Sequence, residues 1–555
     1  MKRFIGAFLL GGGALLGAAS DPLVTREQQS AAGKITAELL RAHVRFLASD
    51  LLEGRGPSTR GDQLAEAYIQ SQMEALGIQP GAPGGGWIQK VPLVGLKPTF
   101  AGPAEFRSER GRVLAKPGDN FVAFSGVQKP EVRIEDAEVV FVGYGIVAPE
   151  YQWDDYKDAD LTGKVLLVMN NDPEDDPGIF AGTTRLWYGR WDYKYLMAAR
   201  KGAAGAIIIH TPHSAGYPWQ VVQTSNGGER FELPDDGSPR VQIKMWATEE
   251  LSKALVELGG KNLDLLRASA ETRSFRPVPL GVKMSVALTN TIGQKESGNV
   301  VGMIQGSDSG LAPEAVFYTA HHDHFGIKTG IKESADNIYN GAIDNASGVA
   351  GILSVAAAFA HLPRPPRRSV YFAFVAAEEQ LLLGSEYLAK HPPVPAGRIA
   401  ADINVDEMNW FGRTRDVSLI GLGKSSLDAE IAALAKMQGR RVEADQFPDR
   451  GRFYRSDQFS FARVGVPAAY LKFGTDVIGK PEGFGRQQVE AYEKNIYHQP
   501  SDELTGAWDF SGAVEDAKLA FFLGCRIANA DAMPQWKPGD EFERARKQAL
   551  AALLP

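Results

Sequence analysis

Cysteine is almost missing from this chain: among 555 residues there is one, Cys525, in "FFLGCRIAN". One thiol cannot close an intramolecular disulfide, and it cannot build a structural zinc site of the cysteine type. Its apolar, helix-like setting reads as buried packing rather than as a nucleophile. Positive charge is also in short supply, with 60 Lys and Arg against 67 Asp and Glu for a net charge of −7. No basic stripe is present, which argues against a nucleic-acid partner. There is no internal repeat, and beyond the N-terminus no apolar run of membrane-spanning length is apparent. What is left, 44% hydrophobic and 23% charged, is globular composition on a chain long enough for roughly two to four domains.

The first residues read "MKRFIGAFLLGGGALLGAASD". Lys2 and Arg3 precede an apolar stretch, and small residues follow it through Ser20. This is the physical pattern of a secretory signal peptide over residues 1–20, which implies an exported protein, periplasmic or extracellular, with no membrane association after cleavage.

Past this segment the texture changes twice. Residues 21–130 begin with a helical pattern from Gly61 to Leu76, stopped by Gly77, and become Gly/Pro-rich with short strand-like pieces. Residues 131–285 form a smaller β-rich module with one or two helices, containing "AEVVFVGYGI", "GKVLLVMN" and "KYLMAARKGAAGAIIIH". Its acidic "NDPEDDPG" matches no EF-hand spacing and reads as a solvated loop. Residues 286–530 alternate strand and helix, the pattern of an α/β sheet with helices on both faces. The tail 531–555 reads as a charged surface helix.

Ligands of open α/β sheets bind beyond the carboxyl ends of the strands. Here several strands run into metal-competent residues. "EAVFYTAHHDH" ends in His321, His322, Asp323 and His324, and the next loop carries Asp344. "SVYFAFVAAEE" ends in Glu378 and Glu379, "AADINVD" ends in Asp406, and "NIYHQPSDE" adds His498 and Asp502. Each alone has a bland reading; Asp344, for instance, could simply cap the helix after it. Together at one sheet edge, His and carboxylate without thiolate suit catalytic zinc. Two His and three carboxylates exceed one open tetrahedral ion and suit a pair of ions sharing a carboxylate.

The motifs His-x-Asp, Asp-Asn-x-x-Gly, Glu-Glu, Asn-x-Asp and Tyr-His-x-x-x-Asp, in that order, resemble the dinuclear-zinc aminopeptidase family, which includes secreted bacterial leucyl aminopeptidases and glutamate carboxypeptidase. The module within 131–285 is similar to a protease-associated domain inserted in many members. The resemblance implies a three-layer zinc-exopeptidase fold, two Zn²⁺ per chain, and peptide substrates with a free N-terminus. It implies His321, Asp344 (bridging), Glu379, Asp406 and His498 as metal ligands, with His322 and His324 outside the set. It implies Glu378 as general base, Asp323 as the residue orienting His321, and Tyr497 as a donor to the oxyanion. Adjacent strand residues point opposite ways, so Glu378 and Glu379 can divide their work only if the backbone turns at the strand end. Two departures from the family pattern, Leu381 where Gly is common and Gln458 where His is frequent, bear on the pocket rather than the metals. A glutaminyl-cyclase-type acyltransferase, a carboxypeptidase for acidic residues and a non-catalytic receptor-like relative are the alternatives; the complete ligand set with Glu378 favours the peptidase.

Overall fold

The computed structural model describes residues 22–226, 228–328 and 336–554, so the expected signal peptide lies outside the described residues. The centre of the molecule is a parallel ladder. Strand Ala315–His321 pairs in parallel with Ser369–Val375 on one side and Ile399–Asn404 on the other, and the latter pairs in parallel with Ala468–Phe473. All four strands are buried along their whole length. That is why they read as continuous Val, Ile, Phe and Ala runs rather than as alternating patterns. Antiparallel strands flank them: the end of Val278–Ile304 lies against Ser369–Val375, and Asp416–Ile420 against Ala468–Phe473.

Helices cover both faces. Gly348–Ala360, Ser511–Asn529, Ala37–Leu47 and Arg60–Ala75 share one apolar core with the sheet. Leu388 and Phe461, from the helices Leu383–Lys390 and Gln458–Arg463, pack on the opposite face. Cys525 is buried within Ser511–Asn529, as its apolar neighbours suggested. The helix Arg60–Ala75 starts on Thr59, whose hydroxyl accepts the Asp62 N–H at 3.3 Å, and Gly77 follows its end at φ +72°.

Residues between 104 and 288 build apolar cores of their own. They are joined to the central sheet by two long strands, Ile88–Phe100 and Val278–Ile304, paired antiparallel from Ile88↔Val300 to Phe100↔Leu288. A continuous ladder makes this a stiff connection rather than a linker.

Two expectations are corrected. The helix Ala342–Ala360 is long and apolar enough to cross a membrane, but all of it up to Phe359 is buried in the core. The acidic loop at Asn171 is not fully solvated, because Asp172 is buried and accepts the Leu186 N–H at 2.8 Å. The tail helix Glu543–Ala551 lies on the surface and is docked through one residue, buried Arg546, which donates to the carbonyls of Ile399 at 3.0 Å and Ala396 at 3.2 Å.

Candidate metal centre

The carboxyl ends of the parallel strands meet at one edge and deliver the predicted residues to one place. His321 is the last residue of its strand, and its Nε2 lies 3.2 Å from Asp344 Oδ1 and 3.5 Å from Asp406 Oδ1. The other Asp344 oxygen, Oδ2, lies 3.2 Å from His498 Nε2, which is also 3.2 Å from Glu379 Oε2. Asp344 thus presents one oxygen to each histidine. Two atoms bound to one tetrahedral zinc at about 2.0–2.1 Å stand roughly 3.3 Å apart. The spacing of both half-sites fits that value.

The electrostatics point the same way. Asp344, Glu378, Glu379 and Asp406 converge with imidazoles as their ion-pair partners and no Lys or Arg among the described residues. Collecting buried carboxylates with no Lys or Arg in contact is costly. Burial pushes Glu378 well above the usual carboxylate range. For Asp344 burial acts in the same sense, but the adjacent imidazoles of His321 and His498 outweigh it and hold the group well below that range. Glu379 Oε1 and His498 Nε2 are buried with no hydrogen-bond partner among the described residues. Buried atoms orphaned in this way are what a bound cation would satisfy.

Local backbone explains how each group is aimed. The strand Ser369–Val375 ends, Ala377 takes a left-handed φ of +52°, and Glu378–Gln380 form one 3₁₀ turn. This is the required bend: Glu379 faces His498, while Glu378 Oε2 lies 3.9 Å from His321 Nε2, beside the half-site rather than within its ligand spacing. Asp344 sits in an irregular turn, Ala342–Ser347, ahead of its helix. Asp502 sets that turn, accepting the N–H groups of Ile343 at 2.9 Å and Asp344 at 3.1 Å. Asn345 rather than Asp344 serves the helix start, with Oδ1 accepting the Gly348 N–H at 2.9 Å.

Asp323 departs from its expected task. His321 Nδ1 is 3.3 Å from the Asp323 backbone carbonyl and 3.8 Å from its carboxylate. The carboxylate instead accepts the N–H of Glu378 at 2.9 Å and of Glu379 at 3.3 Å. Two converging amide donors compete better for it than an imidazole already matched to a carbonyl.

Tyr497 lies over the His498 ring at 3.7 Å between centroids, and its hydroxyl accepts from Arg455 Nη2 at 3.1 Å. Glu378, Glu379, Tyr497 and His498 share a cavity of about 90 Å³ with Leu381 and with Val221 and Ser225. Leu381 therefore does shape the pocket. Gln458 does not border it: fully buried, it accepts from Asn404 Nδ2 at 2.9 Å and donates to the Phe453 carbonyl at 2.7 Å.

Sequence reasoning passed over His324. It is fully buried, with Nδ1 2.7 Å from Glu379 Oε1 but not aligned as a hydrogen bond, so that both ring nitrogens lack partners among the described residues. His324, Asp344 and Glu379 form a candidate metal cluster, as do His321, Asp344 and Asp406. The available signal was the third histidine of "HHDH"; matching to the family motif set it aside. The neighbouring His322 faces away, its Nε2 3.0 Å from Asp62 Oδ1.

Comparison with known proteins agrees with this geometry. Residues 299–522 match the model of peptidase family M28. It is 32% identical over 137 residues to mouse aminopeptidase NAALADL1, a match covering 23% of this chain and 16% of that protein. It is 36% identical over 182 residues to a probable zinc metalloprotease of Pyrenophora teres f. teres, covering 32% of this chain and 35% of that one. The matches thus span about a sixth and about a third of those relatives. Among solved structures, the aminopeptidase from Aneurinibacillus sp. strain AM-1 superposes with a TM-score of 0.50 at 18% identity, covering 92% of this chain and 97% of that one, and the two share a fold.

Proposed function

We propose that this protein is a zinc-dependent aminopeptidase with two Zn²⁺ per chain. One observation carries the reading: the two oxygens of Asp344 face His321 and His498 at 3.2 Å each, the arrangement of a carboxylate shared by two ions. His321 and Asp406 would complete one site, Glu379 and His498 the other. When bound, the ions supply an acidified water as nucleophile and Lewis-acid polarisation of the scissile carbonyl.

The chain's own residues do the rest. Glu378, beside the ligands and with no competing side-chain hydrogen bond among the described residues, takes the proton of the attacking water and passes it to the leaving amine. Tyr497 accepts from Arg455, which can only donate, so the phenol proton is free for a developing oxyanion. The substrates of such a site would be peptides with a free N-terminus. Lys2, Arg3, the apolar run and the small residues to Ser20 support export.

The test is hydrolysis of aminoacyl-nitroanilides alongside metal analysis of the same sample. The reading requires about two zinc per chain, and activity lost to a chelator and restored by zinc. Activity that survives complete zinc removal would overturn it.

A further inference from the structure

The reading above leaves the residues between 104 and 288 without a task, yet they reach into the centre. The helix Trp219–Asn226 places Ser225 Oγ 3.1 Å from His498 Nδ1, across 273 residues of sequence. His498 Nε2 faces Asp344 and Glu379, so the ring proton needed for a neutral ligand belongs on Nδ1, and Ser225 Oγ is its acceptor. His321 meets the same need locally, through the Asp323 carbonyl.

Ser225 is held in place by the fold. Its carbonyl accepts from Arg230 Nη1 at 2.8 Å, and Arg230 is buried. Arg230–Glu232 pairs antiparallel with the long strand Ile88–Phe100, in register Arg230↔Leu96. The next amide, Phe231 N–H, donates to Gln380 Oε1 at 3.2 Å, one residue beyond Glu379. On the other side the Arg455 guanidinium lies over the Tyr217 ring at 5.6 Å while holding Tyr497. Tyr217, Ser225 and Phe231 thus touch Arg455 beside Tyr497, His498 itself and Gln380 beside Glu379, at separate points.

We infer that these residues form a built-in wall of the metal centre, with Ser225 as the positioning residue that fixes the tautomer and orientation of His498. The inference rests on the two-zinc reading. It makes the non-peptidase part of the chain a contributor to metal affinity rather than a detached substrate-binding or assembly module.

Ser225→Thr and Ser225→Val have nearly the same shape and differ in the hydroxyl, so they separate a hydrogen bond from packing. Zinc affinities of full-length protein are measured by competition with a chromophoric chelator, with thermal melting of the zinc-free forms as a control. The valine variant is expected to weaken one of the two zinc ions about 10–100-fold and leave the other within twofold. The threonine variant should stay near wild type, and the two zinc-free forms should melt together. Equal zinc affinities in wild type, Ser225→Thr and Ser225→Val would overturn the role of Ser225 while leaving the peptidase reading intact. A wild-type protein that binds no zinc would overturn both. If Ser225→Val fails to fold, Ser225→Ala takes its place with the same readout.

Discussion

The carboxylate of Asp323 accepts the backbone N–H of Glu378 at 2.9 Å, and its second oxygen takes that of Glu379 at 3.3 Å. One buried acid after the first strand therefore fixes the turn that separates a proton-transfer group from a metal-facing group on the next. Removing it should misplace both at once. Asp323→Ala is expected to lower kcat by about 10²-fold and to destabilise the fold by about 1–3 kcal/mol through the orphaned amides. Kinetics and denaturant melts on one sample check this; unchanged kcat with lowered stability would assign Asp323 a purely structural part.

Glu378 stands apart from the ligand spacing, so its loss should spare the metals. Glu378→Gln is expected to retain wild-type zinc content and lose about 10²–10⁴-fold in kcat. Loss of one equivalent of zinc would place Glu378 among the ligands instead.

His324 approaches Glu379 with both ring nitrogens unpartnered. His324→Ala is expected to weaken zinc on the Glu379 side about 10–100-fold. The d–d spectrum of the cobalt-substituted protein should change with it. Identical spectra and affinities would make this histidine a bystander.

Leu381 has φ +77°, where L-residues with a Cβ are strained by about 1–2 kcal/mol and glycine is not. Its side chain is only partly buried, so little burial is lost on truncation. Leu381→Gly should raise stability by about 1 kcal/mol, read as a higher melting temperature, and should alter KM more than kcat because a pocket wall is removed. A fall in stability would mean that the side chain's packing outweighs the backbone strain.

His43 is buried, and burial pushes its pKa down to about 4. The neutral ring fits its surroundings, with Nδ1 2.9 Å from the Tyr68 hydroxyl. Between pH 6.5 and 4 the unfolded chain binds a proton at this ring that the folded protein refuses. Stability from this group is therefore complete above pH 6.5 and falls as pH is lowered through that window, by about 3 kcal/mol in all. His43→Gln should flatten that part of the stability–pH curve, measured by urea unfolding. Parallel curves for the two proteins would rule the mechanism out.

The sequence by itself determined the parallel strands, the order of the metal-competent residues at their ends, and the need for a bend before Glu379. These follow from short-range physics: a strand buried on both faces must be continuously apolar, and its side chains must alternate. The partner of each functional group was decided only in three dimensions. Asp323 turned from its own histidine to the amides of another strand, Ser225 arrived on His498 from across the chain, and His324 met Glu379 after the strands had paired. Hydrogen-bond donors and acceptors are matched by proximity in space, and residue spacing along the chain does not encode which distant group will arrive. Leu381 shows the same limit from the other side: a departure from a glycine pattern is visible in sequence, but the left-handed turn that makes it matter is not.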